Sequence, residues 1–387
     1  MSQEIDPAAL QRQLAALSDE QKTALLQRLR ARQGQQNRSQ AHTEAPLSWA
    51  QARLWWQQQV EGVHYKYNMV SAYELLGPLA VDALQRALNC VVQRHRTLSS
   101  YFAQLDLDTN AQAAQDGVIN ASNVLVQRQL ANFELPLPLI DISHEASPQA
   151  TLESYLVDES RYGFDLTRGP LIRCHLYRVA EQHHVLQLNV HHAVFDGWSK
   201  ALLFKELALA YAALLQQQTL ALPELPYQFA DVARRQQQAH TQRDLDFWRS
   251  YLRDIPALQH LPLDFPRPSQ PSDEALLLPI DINAEISAGL QAVARAHGCT
   301  LFMVLLALFQ LLLYRFGGEA DQVTGTPVDT RQGDAERQLI GFFLNTLCIR
   351  TPINPEWRWP ELLAAVKQSV LAAFQHQRLP FEQVVEA

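Results

Sequence analysis

The densest concentration of reactive side chains in this sequence is His191-His192-Ala-Val-Phe-Asp196-Gly197-Trp198-Ser199. Two adjacent imidazoles followed by a carboxylate suit proton handling. An imidazole titrates near neutrality, and its neighbours can hold the ring and shield it from water. Val185 to His192 alternate, so Leu186, Leu188, Val190 and His192 fall on one face of a strand, and Val185, Gln187, Asn189 and His191 on the other. This pattern sets His192, and not His191, among aliphatic neighbours. Asp196-Gly197 reads as a turn, and Ser199 as the N-cap of a helix over Lys200 to Gln216. A second pair, His183-His184, lies between two strand-like runs and reads as a solvated hairpin turn.

A scaffold must hold these groups, and 387 residues suit two domains of roughly 150–200 residues each. Hydrophobic content of 47% and charged content of 19% are globular values. A formal charge of −8 argues against nucleic acid as a partner. Cys90, Cys174, Cys299 and Cys348 are far apart and form no CxxC. With no secretory signal, the expectation is free thiols and a cytoplasmic location. No zinc or phosphate-loop spacing appears, so no metal site is expected. Thr300 to Tyr314 is the most apolar run, but Gln310 interrupts it. It is also short of the about 20 residues a bilayer requires, so it reads as a buried core helix and no membrane association is expected.

Along the chain, residues 1–34 suggest two amphipathic helices, with Asp6-Pro7 opening the first and Ser18-Asp-Glu-Gln21 capping the second. This leader either packs on the main body or docks another polypeptide. Residues 35–45 form a polar linker. The first lobe, 46–221, opens with a Ser48-capped helix, then a strand over Tyr67 to Leu76, a helix over Val81 to His95, another over Pro148 to Glu159, and the hairpin leading into His192. The second lobe, 222–387, reads as a long polar helix to about Leu252, a strand over Leu276 to Ile282, and a helix over Ile286 to His297. The apolar helix, two further strand regions from Val323 and Ile340, and a helix over Trp359 to Gln377 follow. Strands and helices alternate in both halves, which gives an α/β fold class of the α+β sandwich type.

At this point a family resemblance emerges. Ser48-Trp-Ala-Gln-Ala-Arg-Leu-Trp55, Arg94-His95 with Leu98 and Phe102, and His191 to Ser199 occur in that order. Tyr227-Gln-Phe-Ala-Asp231, Ile340-Gly-Phe-Phe-Leu-Asn-Thr346 with Arg350, and Leu379-Pro-Phe-Glu382 follow them. Together they resemble the signatures of nonribosomal peptide synthetase condensation domains, from about Pro46 to the last residue. The resemblance implies two chloramphenicol-acetyltransferase-like lobes in a V with a central tunnel. The implied reaction is attack of an acceptor aminoacyl amine on a donor acyl or peptidyl thioester, forming an amide. By analogy His192 is catalytic, either as a general base or as a positioner of the amine. His191 and Asp196 look structural, and Gly197 leaves room near the reacting centre. Asp196 is expected to pair with Arg94 or, as second candidate, Arg331, while Trp198, Ser199 and Asn345 are expected along the tunnel. Loss of either partner of the Asp196 pair is expected to damage folding as well as activity.

The family binds no cofactor of its own. Phosphopantetheine arms arrive on donor and acceptor carrier proteins, and an adjacent adenylation domain is expected. Arg96 and Ser99 stand where the family has Glu and a second Arg, and Gln228-Phe229 replace its first acid in that segment. The chain stops short of the family's usual C-terminal strands, so the second lobe is expected to be truncated. Two alternatives stay open: an ester-forming condensation domain, and a non-catalytic docking platform for carrier proteins and partner enzymes. An intact His192 favours the enzyme.

Overall fold

The computed structural model describes residues 44–104, 125–219, 222–239, 241–256, 261–269 and 276–386. The helical leader expected over 1–34, and residues 35–43 of the linker, lie outside the described residues. The chain divides into two compact units. The first runs to Gln237 and includes Gln338–Gly341; the second comprises Gln238–Arg337 and Phe342–Ala387.

The first unit begins with β1 (Glu44–Pro46), α1 (Trp49–Glu61), β2 (Asn68–Leu76), α2 (Val81–Arg94), a 3₁₀ turn at Arg96–Ser99, β3 (Ser100–Gln104), β4 (Leu125–Gln129) and β5 (Leu139–Asp141). It continues with α3 (Pro148–Ser160), β6 (Ile172–Ala180), β7 (His183–His191), a 3₁₀ turn at His192–Val194, α4 (Gly197–Leu215) and α5 (Phe229–Gln238). One sheet runs β2-β7-β6-β5, antiparallel except for the parallel β5–β6 pair, and a smaller antiparallel sheet runs β1-β4-β3.

β7 lies inside its sheet, and nearly every residue along it is buried. Its two buried amides are tolerated because the NH₂ group of each donates to a backbone carbonyl. Gln187 donates to Leu156 O and accepts from the Tyr177 hydroxyl, and Asn189 donates to Glu159 O, all beneath α3. The face expected to be polar is therefore an interior face. His183-His184 is not a solvated turn, because the hairpin turns at Glu181-Gln182 and His184 is buried on β7. Burial lowers the proton affinity of the His184 ring.

α2 buries Leu84, Ala87, Leu88, Val91 and Val92, an i, i+3, i+4, i+7, i+8 stripe, and packs on α4. Arg94 stands in its last turn, where a cation complements the helix dipole.

The second unit contains α6 (Gln242–Tyr251), α7 (Ala284–Ala296), α8 (Leu301–Gly317), β8 (Asp321–Asp329), α9 (Gly333–Arg337), β9 (Leu344–Pro352), α10 (Trp359–Gln375) and α11 (Phe381–Glu386). β8 and β9 form a two-stranded antiparallel sheet in which Gly325 faces Cys348. Trp248, Val304, Ala307, Leu347, Ile349, Leu363 and Val366 fill the core between this sheet and helices α6, α8 and α10. Asn283 and Thr300 cap α7 and α8 through their side chains, and Gly318 ends α8 at φ +75°, a left-handed conformation that favours glycine.

Three expectations are corrected here. The long polar helix is two, α5 and α6, interrupted between Gln238 and Gln242. Residues 276–282 form no strand, and Leu276, Leu277 and Leu278 are 73–91% exposed. α8 is buried on one side only, where the sheet and α10 cover it. No single helix among the described residues is long and apolar enough to cross a membrane.

Candidate active site

The histidine pair divides at a change of backbone geometry. β7 ends at His191, and His192 opens the 3₁₀ turn. The strand alternation therefore does not aim His192; the turn does. His191 is almost fully buried, with Tyr67 and Phe164 ring centroids 6.2 and 6.1 Å from its own. Its Nδ1 accepts from Ala193 N at 3.1 Å. Burial first, then the nearby His192 and His64 rings, push its pKa down to about 3. His191 is thus a neutral ring that stabilises the turn, and it does not exchange protons near neutrality.

His192 is partly exposed, and its Nδ1 lies 2.7 Å from Phe195 O. A carbonyl oxygen can only accept, so in the neutral ring Nδ1 carries the proton and the basic lone pair is on Nε2. The turn has further ties. His192 N donates to Tyr67 O at 2.8 Å, Phe195 N donates to His192 O at 3.2 Å, and Gln51 Nε2 on α1 donates to Ala193 O at 3.0 Å.

Asp196 caps the next helix, accepting from Ser199 N at 2.8 Å. α4 therefore starts at Gly197, and the expected cap, Ser199, is its third residue. The partial positive end of a helix of 19 residues consequently stands beside His192 in the chain. An added Cβ at Gly197 would meet nothing within 4 Å, so this residue leaves open space at the helix start. Trp198 is half exposed.

Ser199 is fully buried, and its Oγ donates to Gly341 O and accepts from Gly341 N, both at 3.0 Å. Gly341 is a close-approach glycine, since a Cβ there would collide with the Phe229 ring. Two of the sequence signatures, Phe229 and Ile340-Gly341, meet through that contact.

Arg94 does not pair with Asp196. Its Nε reaches Glu206 Oε1 at 3.3 Å, and His95 Nε2 reaches Glu206 Oε2 at 2.8 Å. Glu206 lies along the buried face of α4 with Leu203, Leu207 and Ala210, opposite the end of α2, whereas Asp196 stands at the start of α4, where its Oδ1 accepts from Ser199 N. His95 Nδ1 accepts from Ile340 N at 3.4 Å, so Nε2 carries the proton given to Glu206. Reading the motif missed Glu206. The available signal was a lone acid on the apolar stripe of α4, which needs a buried cation. Gln228 replaces an acid of the family pattern, and its amide bridges Arg94 O and Arg96 N.

In the second unit, Arg331 pairs with Asp329 at 3.1 Å and lies 4.0 Å over the Phe343 ring. Asn345 donates to Gln377 O and Leu379 O and accepts from Phe381 N, so its amide organises the Leu379-Pro-Phe-Glu382 signature. Arg350 makes a forked ion pair with Asp321. Among the described residues, no group of three or more His, Cys, Asp or Glu side chains could hold a metal ion.

A family model described as Condensation domain matches residues 41–387. A linear gramicidin synthase polypeptide of Brevibacillus parabrevis is 38% identical over 347 residues, which are 88% of this chain and 4% of that protein. The phosphinothricin tripeptide synthetase PhsC of Streptomyces viridochromogenes is 35% identical over 392 residues, 97% of this chain and 34% of that protein. The chain thus spans a minor part of the length of these relatives. The X-domain from teicoplanin biosynthesis, also solved as a complex with OxyB, matches with a TM-score of 0.75 at 27% identity, over 88% of this chain and 73% of that one. The first condensation domain of the calcium-dependent antibiotic synthetase shares the fold, with a TM-score of 0.69 at 23% identity over 88% of this chain and 77% of that one.

Proposed function

The chain belongs to the condensation-domain family of nonribosomal peptide synthetases, and on that premise we propose that His192 is the centre of an amide-forming acyl transfer. The observation that carries this reading is the Nδ1–Phe195 O contact at 2.7 Å, which leaves the lone pair on Nε2 of a partly exposed ring. An acceptor amine attacks the carbonyl carbon of a donor thioester, the new C–N bond forms, and the C–S bond breaks. The proton lost by the amine passes to Nε2 and on to the departing thiolate. Donor and acceptor would arrive as acyl or peptidyl and aminoacyl groups on the phosphopantetheine arms of carrier proteins, with an adjacent adenylation domain loading the acceptor.

A thioester is already activated, so alignment supplies most of what is needed, up to about 7–11 kcal/mol in well-oriented cases. A positioned base adds roughly 10²–10⁴-fold. An α-amino group has a reference pKa of about 7.7–8.0, so part of the acceptor is already deprotonated at neutral pH, and positioning the amine by Nε2 is as important as removing its proton. The start of α4 supports developing charge on the thioester oxygen, and the space at Gly197 admits the reactants there.

The X-domain likeness favours a second reading, a platform that binds carrier-borne peptide and partner proteins without chemistry. A hydroxyl acceptor, giving an ester, fits the same proton path. Intact-mass detection of product, with donor- and acceptor-loaded carrier proteins, separates them. Amide formation by wild type and a loss of about 10²-fold or more in folded His192→Ala is expected. Equal rates from the two proteins would remove His192 from the chemistry. Carrier binding without product across several acyl donors and both amine and hydroxyl acceptors would favour the platform.

A further inference from the structure

On the reading that His192 is the reacting imidazole, we propose that Gln51 is a positioning residue that sets its tautomer. Gln51 is fully buried in the first turn of α1. Its Oε1 accepts from Ser48 N at 3.0 Å, and its N donates to Ser48 Oγ at 3.2 Å. This reciprocal cap settles which end of the amide faces inward. Nε2 is thereby aimed at Ala193 O, 3.0 Å away and 142 positions along the chain.

Ala193 is the middle residue of the His192–Val194 turn. Hydrogen-bond geometry within a 3₁₀ turn is poor, so its shape depends on what grips it from outside. Tyr67 grips it through a backbone carbonyl, and His191 belongs to the same segment. Gln51 contributes a side chain from another helix. Holding the Ala193 carbonyl keeps the turn at the pitch that brings Phe195 O to His192 Nδ1. That contact in turn keeps the lone pair on Nε2. Both ends of the amide are in use, so the position needs an amide. Glu would place a carboxylate oxygen against the Ala193 carbonyl, and Met would keep volume without a donor.

The test uses the wild-type protein, Gln51→Glu, Gln51→Met and Ser48→Ala. Gln187→Met serves as the control, a buried amide whose bonds go to Leu156 and Tyr177 and not to the turn. Ring ¹⁵N NMR of histidine-labelled protein reports the tautomer of His192 without any substrate, and single-turnover kinetics with loaded carriers reports the rate. In both Gln51 variants the Nδ1–H signature of His192 is expected to give way to mixed tautomers. The maximal rate is expected to fall about 10- to 100-fold, with its dependence on carrier concentration unchanged. Ser48→Ala, which loosens the amide without removing it, is expected to show a smaller shift of the same signals and covers the case in which a Gln51 variant does not fold. Gln187→Met is expected to lower the melting temperature and leave the His192 signals alone.

A wild-type His192 spectrum in Gln51→Met, or in Ser48→Ala should the former not fold, overturns the proposal whatever the activity. A tautomer shift in a domain whose wild type makes no product would leave Gln51 as the positioner and remove the amide-forming reading instead.

Discussion

β7 with the start of α4 in the first unit, and α8 in the second, invert the usual relation between composition and burial. β7 carries His184, Gln187, Asn189 and His191, yet all of them are buried. α8 is Leu-Phe-Met-Val-Leu-Leu-Ala-Leu-Phe-Gln-Leu-Leu-Leu-Tyr-Arg-Phe-Gly, yet Leu301, Phe302, Leu305, Leu308, Phe309, Leu312 and Phe316 are 38–66% exposed, while its one amide, Gln310, is fully buried beside Met303, Val304 and Leu306. Gln310 is tolerated for the same reason as the β7 amides, because it donates to Ile349 O and Thr324 Oγ1. Neighbours decide burial. A strand inside a sheet is covered on both faces once α3 packs on it, whereas a helix is buried only along the side its partners reach. The buried amides of Gln51, Gln187, Asn189 and Gln310 each tie their element to a backbone carbonyl elsewhere in the chain, and the candidate site is one place held in this way.

The comparison breaks first at Glu206. If paired polar groups hold the first unit, Glu206→Ala strands Arg94 and His95 and lowers unfolding free energy by about 3–5 kcal/mol, read from urea denaturation. A loss below about 1 kcal/mol would mean that the pair is incidental.

Acid comes next. His191 holds its proton less tightly in the folded protein, with a pKa of about 3, than in the unfolded chain, where it is about 6.5. Its contribution is complete above the unfolded value and is lost as pH falls from about 6.5 toward 3, because the unfolded chain then binds the additional proton. Between pH 7 and pH 5 the loss is on the order of 2 kcal/mol. His191→Phe should flatten that part of the stability–pH curve, and an unchanged slope would show that His191 is not the group responsible.

The smallest effect belongs to α8. Leu312→Gln, on the half-exposed face, should change stability by no more than about 0.5 kcal/mol. A loss several times larger would show that this face is covered in solution and would narrow the contrast with β7.

Much of the fold was legible in local pattern. The Ser48 cap, the α2 stripe and the positions of β2, β8 and α10 follow from it, because short-range geometry is what such patterns encode. The motif also identified His191 and His192 as a pair with different surroundings. The reason inferred for the difference was wrong, since the strand stops one residue early and the turn, not the pleat, aims His192. Residues 276–282 read as a strand because their composition is strand-like, but a strand exists only where another backbone supplies its hydrogen bonds.

Sequence alone determined the residue types that can do chemistry, their order along the chain, and the family they belong to. Tertiary structure decided the partners. It gave Arg94 and His95 to Glu206, set Asp196 at the N-cap of α4, tied Gln51 to Ala193 across 142 positions, and laid Gly341 under the Phe229 ring. The physical reason is that a hydrogen bond or ion pair depends on distances of a few ångströms between groups far apart in sequence. No periodicity carries that information, because it is settled only when helices and strands pack against one another.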